Sequence, residues 1–542
     1  MSPIKTYLFL GVLSVTLSIL LWRGLQGSDD LGYARHAASV LQHGPHLDGA
    51  SHKIGRIGAY LPLAAVFRIF GISEFSLAII PVVCTALTSI IVSALGSRLY
   101  HPQVGLLAGV LHILFPVTLM YCNEFLPEPI VGFEISAAAL LLTGASGKRK
   151  WIDGSLILVG LLMGIAYLTT EIAAIILLAL LGYQWIAGNR RTAVASIVVG
   201  FSLVVFCELA FHAYVYGDPL HRFRGLGGNY SSDPMVVAAN ANLAERLLKS
   251  YPRRFVYPQM QMAYFGPLLS VAGLIGLVQF RRNLLLVLWA GAGLFFVNFF
   301  SSRLTSYVAL PVAVRLLYPA CIPLCILAAK VLCDTLRWCS DRNFLSRRNV
   351  VGVAALLVLF LGITSILSAY VRGGTVRPAV IAKNAKGVAS NLSGEPGIHI
   401  VADKSTLTCI AFYRGFRSSD VLQPVEEVEA TEATLRELAA HNGVLVVSGE
   451  LVKVPIGDVG FIPFDERRKE WFNLALNSGV SPEFEVNERN QAVFGTLSEA
   501  AAFLRVISRD DLMKFRRNAE GPEATDWAKV FSCESLWRTL RR

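Results

Sequence analysis

Eleven apolar stretches, each close to twenty residues long, recur along the first 370 residues, most of them separated by short polar turns. A helix needs about 20 predominantly apolar residues to cross the hydrocarbon of a bilayer. Within that hydrocarbon every backbone N–H and C=O must be satisfied inside the protein, which leaves helices as the answer for such segments. The chain is therefore expected to be an α-helical polytopic membrane protein. Composition agrees, with 54% hydrophobic and 16% charged residues and a mean hydropathy of +0.53, against about 25% charged residues in a soluble domain. The predicted spans are 5–24, 74–98, 103–121, 126–145, 153–170, 171–188, 193–214, 263–280, 284–301, 312–333 and 350–370. The first lacks a small-residue cleavage pattern and is long for a signal peptide, so it reads as a membrane helix.

Short loops fix an expected orientation. Arg98, Lys148, Arg149, Lys150, Arg190, Arg191, Arg281, Arg282, Arg337, Arg342, Arg347 and Arg348 all fall in alternate turns, and the turns near 122–125 and 168–172 carry no Lys or Arg. Basic residues concentrate on the cytoplasmic side. This puts 25–73, 121–129, 215–262, 302–311 and everything after 370 on the extracytoplasmic side. Within 25–73, SDDLGYARHAASVLQHG has helical apolar spacing after Ser28, and GAYLPLAAVFRIFG is apolar but too short to span. Both suit interfacial helices.

Residues 371–542 differ in kind. They hold 22 Lys+Arg and 23 Asp+Glu, so the net charge of +11 belongs to the membrane part. Lipid headgroups, phosphates and topology explain that excess better than nucleic acid does. The segment reads as a small soluble α/β domain. Strands are expected at GIHIVAD and VLVVSGELV, a helix at KSTLTCIAFYRG, an amphipathic helix ending at Asn442-Gly443, and a hairpin in EFEVNERNQAVFGTL. Cys84, Cys207, Cys321, Cys325 and Cys333 lie in apolar spans as small hydrophobes, while Cys409 and Cys533 share the C-terminal region.

The topology delivers acids from distant segments to one face: Asp29 and Asp30 in the first loop, Glu124 and Glu128 in YCNEFLPEP. Acids there face a cavity, water or a partner rather than lipid, and a carboxylate beside an apolar groove suits general-base work. Lys53, Arg56, Arg303 and Arg315 share that face and form a candidate phosphate site. Taken singly, each acid also fits a solvated loop and each cation a headgroup contact. His36, His43, His46 and His52 cluster in the first loop, but their spacing matches no metal-ligand pattern. No cofactor is required, and a divalent metal is unsupported. Trp22, Tyr257 and Tyr264 fit an interfacial aromatic belt. Asn229-Tyr-Ser and Asn391-Leu-Ser are outside sequons.

At these residues the chain resembles the polytopic glycosyltransferases of the C-type fold. The likeness is to the protein O-mannosyltransferases, lipid A aminoarabinose transferases and lipopolysaccharide-core galacturonosyltransferases. Asp29-Asp30-Leu-Gly-Tyr33-Ala34 is similar to their first-loop Asp-Glu-x-x-Tyr-Ala. Arg56-Ile-Gly-Ala-Tyr60-Leu-Pro62 with Phe67-Arg-Ile-Phe-Gly71 is similar to Arg/Lys-Pro-Pro-x-Tyr and Phe-Arg-Leu-Phe-Gly. Tyr121-Cys-Asn-Glu124-Phe-Leu-Pro127-Glu128 is similar to Tyr-Ser-Arg-Glu-Leu-Arg-Pro-Asp. Leu168-Thr-Thr-Glu171 and Arg315-Leu-Leu-Tyr318-Pro319 are similar to Leu-Thr-Lys-Glu and Arg-Tyr-Leu-Leu-Pro. The likeness spans roughly residues 1–330. It departs at Ile57-Gly58, where the family has a proline pair, at Thr170 for Lys and at Asn123 for Arg.

The resemblance implies transfer of a sugar from a polyprenyl-phosphate donor to an extracytoplasmic glycolipid, lipopolysaccharide, polysaccharide or protein. It implies inversion, with Asp29 as base and Asp30 and Glu128 as further catalytic carboxylates. Tyr33, Lys53, Arg56, Tyr60, Glu124, Arg303, Arg315 and Tyr318 would bind substrate. The setting it suggests is a bacterial inner membrane. A transporter or flippase of lipid-linked sugars is the alternative, but it predicts repeat symmetry and mid-bilayer charges that the sequence lacks. A non-catalytic scaffold with a partner-binding C-terminal domain is a third.

Overall fold

The structure is a computed structural model. It describes residues 2–45, 53–144, 153–188, 191–224, 255, 262, 264–301, 310, 313–342, 344, 346–373, 382, 385–386, 389–390, 399–402, 404–417, 419–424, 427–428, 431, 444–453, 459–463, 470 and 491–494. Two compact units emerge, Met1–Gly24 with Gly32–Gly374, and Leu25–Leu31 with Thr375–Arg542.

One of the helices of the first unit, Asp29–His43, begins in the Leu25–Leu31 segment of the second, and the described residues of the first unit are predominantly helical. Its elements are α1 (Pro3–Leu20), α2 (Asp29–His43), α3 (Ile57–Phe70), α4 (Glu74–Leu99), α5 (Pro102–Leu114), α6 (Pro116–Tyr121), α7 (Pro127–Gly144), α8 (Gly154–Thr169), α9 (Ile172–Gly188), α10 (Arg191–Tyr216), α11 (Phe265–Val278), α12 (Leu284–Phe299), α13 (Tyr318–Asp341) and α14 (Arg347–Gly373). Every predicted span falls on helix. Pro3–Leu20, Glu74–Leu99, Arg191–Tyr216, Val314–Asp341 and Asn349–Ala369 are long and apolar enough to cross a membrane. Shorter apolar helices pack among them, and α2 and α3 cover the two helical stretches read in 25–73.

Two spans differ from expectation for readable reasons. The predicted 103–121 helix is two helices, because Pro116 forces Phe115 into extended backbone at ψ 126°. The predicted 312–333 helix begins as a 3-10 turn, Val314–Leu317, and continues to Asp341. The core joins α4, α5, α7, α8 and α13 around Val92, Leu111, Ile135, Met163 and Cys325, all essentially excluded from solvent. Between α8 and α10 the approach is closer still. A Cβ on Gly160 would meet the Ile197 carbonyl and one on Gly200 the Ile157 carbonyl, so the two backbones touch there.

The second unit contains β1 (His399–Ala402), α15 (Lys404–Tyr413), β2 (Val421–Pro424), β3 (Val444–Lys453), β4 (Val459–Pro463) and β5 (Gln491–Phe494). β1 pairs in parallel with β2 and β3, and β3 pairs antiparallel with β4 and β5. Arg414 and Asp420, both buried, close the turn after α15 with two bonds of 2.6 and 2.9 Å. β1, α15 and β3 match the sequence reading, whereas the short β2 and β4 were not anticipated. The amphipathic helix before Asn442 and the first arm of the hairpin lie outside the described residues, as do Cys533 and both sequons.

Candidate active site

The two adjacent aspartates at the start of α2 have different surroundings. Gly27 takes φ 69°, a left-handed conformation open to glycine, and so turns the chain back toward the helix. The Asp30 carboxylate then accepts backbone N–H bonds from Gln26 (2.6 Å), Ser28 (2.7 Å) and Leu31 (2.8 Å). It is fully buried, and both of its oxygens are occupied by the backbone. Burial pushes its carboxyl above the ordinary value, while the three N–H donors pull the other way. Asp29 is only partly buried. Of the pair, Asp30 builds the loop, and Asp29 is the less buried residue.

Within the helical unit, one end carries a connected set of charges. Arg56 donates to the Tyr33 hydroxyl (3.0 Å) and to Glu171 Oε2 (3.1 Å). Glu171 Oε1 is also held by Arg222 through Nη2 (2.9 Å) and Nε (3.3 Å). Arg222 reaches on to Glu208 Oε1 (2.7 Å) and the Tyr167 carbonyl (2.7 Å), with its guanidinium 4.3 Å from the centre of the Tyr167 ring. Burial alone would oppose ionisation of Glu171. Arg56 and Arg222 overrule it and hold the carboxyl well below the usual range.

Gly58, Asn123 and Thr170, which depart from the resembled motifs, each make a local contact. A Cβ at Gly58 would collide with Thr169 Oγ1 and the Leu168–Thr169 backbone, so α3 needs glycine to lie on the end of α8. The Asn123 amide donates to the Ser18 and Leu21 carbonyls (2.9 and 2.8 Å), satisfying the last turn of α1. Thr170 hydrogen-bonds to Glu171 (3.4 Å), where Arg56 and Arg222 already supply positive charge.

The remaining expected residues divide. Glu128, buried at the start of α7, pairs with Arg315 Nε at 3.6 Å, and the Arg315 side chain is 30% exposed. The Lys53 ammonium lies 5.9 Å from the centre of the Tyr33 ring, and Gly32 leaves the space its stem occupies. Glu124 is buried in the turn before α7. Tyr60 is buried on α3, edge-on to His36, and its hydroxyl has no hydrogen-bond partner among the described residues. Burial, with Arg35 and Lys53 nearby, lowers His36 to about 4, so it is neutral. Tyr318 is directed into the helix packing, where its hydroxyl meets His112 Nε2 at 3.0 Å, and His112 Nδ1 in turn meets Ser89 Oγ at 2.9 Å. Arg303, His46, His52 and Tyr257 lie outside the described residues. Among the described residues no group of three or more His, Cys, Asp or Glu is placed to hold a metal.

Sequence reasoning missed Glu208 and Arg222. A glutamate inside the apolar run SLVVFCELAFHAY is costly in lipid unless partnered, and that was the available signal. Glu134 is a second acid of this kind, buried on α7 and bonded by Thr169 at 3.3 Å.

Residues 57–214 match the family described as dolichyl-phosphate-mannose-protein mannosyltransferase. No curated protein matches the chain. ArnT from Cupriavidus metallidurans, bound to undecaprenyl phosphate, superposes with a TM-score of 0.55 at 14% identity, over 92% of this chain and 98% of that one. The Archaeoglobus fulgidus oligosaccharyltransferase, in complex with Zn and sulfate, gives 0.54 at 14% identity, over 88% and 77%. The same organism's AglB, with an inhibitory peptide and a dolichol-phosphate, gives 0.50 at 13%, over 88% and 78%. The chain thus has the C-type fold of polytopic membrane glycosyltransferases and is an integral membrane protein.

Proposed function

We propose that this chain is a glycosyltransferase that moves a sugar from a polyprenyl phosphate to an acceptor hydroxyl on the extracytoplasmic side of a bacterial inner membrane. The acceptor is a glycolipid, a polysaccharide or a protein. The fold supports the general chemistry, and the solved structures it resembles include one with undecaprenyl phosphate and one with dolichol-phosphate. The observation that carries the assignment of the base is the division of labour between Asp29 and Asp30. Asp30 is fully buried with both oxygens on backbone N–H groups, whereas Asp29 at the start of the same helix is only partly buried, which supports Asp29 as the base.

The step is a single displacement. Asp29 accepts the proton of the acceptor hydroxyl as its oxygen bonds to the anomeric carbon. The bond from that carbon to the phosphate oxygen breaks, and the electron pair leaves with the polyprenyl phosphate. One displacement inverts the anomeric carbon. A lipid phosphate is already a good leaving group, so a cation suffices in place of a strong acid. Lys53 and Arg315 are the cations assigned to that charge, with Glu128 orienting the sugar or acceptor beside Arg315.

Asp29→Asn keeps shape and removes the base. Transfer in membranes of a deletion strain carrying this variant, read by mass spectrometry of surface glycolipids, polysaccharide and protein, should fall on the order of 10²–10⁴-fold. Full transfer by the variant would sink this assignment and favour the transporter or scaffold readings. Loss of glycan from protein alone would identify the acceptor as protein.

A further inference from the structure

Two observations single out Arg222. Its side chain is 1% exposed, and in the described structure its guanidinium contacts Glu171, Glu208, the Tyr167 carbonyl and the Tyr167 ring. A residue so enclosed does not reach substrate. Yet a Cβ built on Gly55 would meet the Cγ, Cβ and Cα of Arg222. The stretch Lys53–Arg56 of the first loop therefore rests directly on the stem of this arginine, and the loop needs a glycine at the contact.

From Arg222 the bonds run in one direction. Glu208 on α10 holds one side of the guanidinium and Glu171 the other, Glu171 holds Arg56, and Arg56 holds the Tyr33 hydroxyl. Tyr33 stands one turn along α2 from Asp29, on the same face of the helix. The set contains two arginines and two glutamates and so carries no net charge. It fixes geometry without creating a strong field of its own.

We infer that Arg222 and Glu208 are positioning residues, which set the placement of Tyr33 and the Lys53–Arg56 segment through Glu171 and Arg56. The inference rests on the glycosyltransferase reading above, because the group finally placed is the helix that begins with Asp29. It also reassigns Arg56. Its guanidinium is part of the framework, and its contribution to transfer runs through Tyr33.

The test is a double-mutant cycle in membranes from the deletion strain, with lipid extract of the parent strain supplying the donor. Initial transfer rate is measured over a titration of that extract. Variants are Arg222→Lys, which keeps the charge but loses the fork, Tyr33→Phe, which removes only the hydroxyl, and the two combined. Thermal unfolding in detergent is measured alongside. Arg222→Lys should lower the maximal rate on the order of tenfold, with the half-saturating amount of extract little changed. In the Tyr33→Phe background the same change should cost almost nothing further. An equal loss in both backgrounds would overturn the inference, as would a loss that follows the folded fraction alone. Glu208→Gln provides a second entry should Arg222→Lys fail to fold, with a smaller loss that again disappears beside Tyr33→Phe. Asp29→Asn runs in parallel. Full transfer by that variant, or none by the unaltered protein, overturns the reading of function itself. Lost transfer by Asp29→Asn with additive losses at Arg222 overturns only the positioning role.

Discussion

At the end of the bundle that carries the first loop, Arg56, Glu171, Arg222 and Glu208 are nearly excluded from solvent and linked side chain to side chain. At the opposite end, Lys330 meets Asp334 at 2.6 Å with Asp334 50% exposed, and Arg337 meets Gln103 at 3.1 Å on an exposed surface. Both ends are charged, and only one is built. Pairs in solvent contribute about 0–1 kcal/mol and are screened by salt. Pairs out of solvent contribute little net stability against apolar replacements, but removing one partner strands a charge at a cost of about 3–5 kcal/mol. Buried charge at the first-loop end thus signals a constraint other than stability, while the opposite end has the pattern expected of topology signals.

Breaking this contrast begins with Arg222→Ala, which leaves Glu171 and Glu208 buried without it. Thermal unfolding in detergent should show destabilisation of about 3–5 kcal/mol. A change under about 1 kcal/mol would mean that water reaches the network and the contrast fails. Asp30→Ala removes the acceptor of three N–H bonds and should cost about 2–4 kcal/mol, measured the same way. Asp29→Ala, at a position only partly buried, should cost less than Asp30→Ala by the same measurement while abolishing transfer. Gly58→Ala pushes α3 against the end of α8 and should cost about 1–3 kcal/mol. At the other end, Asp334→Ala, at the exposed member of its pair, should stay within about 0.5 kcal/mol.

Acid sharpens the comparison further. The Glu171 carboxyl is held below its ordinary 4.5, so its ion pairs contribute fully above that value and are lost only as pH falls through the lowered one. Unfolding midpoints at pH 7 and pH 5 should therefore differ no more in the parent protein than in Glu171→Gln. A drop at pH 5 specific to the parent would show that the carboxyl is protonated there.

The helices were legible in the sequence because hydropathy adds along the chain, and each span declares itself without its neighbours. The break at Phe115 was also written locally, in Pro116, although the apolar run concealed it. Asp29 and Asp30 were recognisable as a pair, but their separate roles depend on the backbone turn at Gly27, which residue identity alone does not set. Glu208 and Arg222 were out of reach for another reason. Their meaning lies in pairing across 14 residues with each other and across 51 with Glu171. No periodicity records such a contact. In the C-terminal unit, β2 and β4 have four and five residues and little alternation to announce them.

The glycine contact between α8 and α10 has a consequence for the membrane in which the protein sits. Helices separated by long side chains can slide or retilt when bilayer thickness changes, because rotamers absorb the shift. Here Gly160 and Gly200 bring carbonyl oxygens and Cα atoms into direct contact, and α8 and α10 lead into the segments that carry Glu171 and Arg222. The distance between those segments is set by backbone dimensions. α10 itself presents Val199, Leu203 and Phe206 outward, so remodelling of the surrounding lipid would move the pair as one body and leave this joint at constant length.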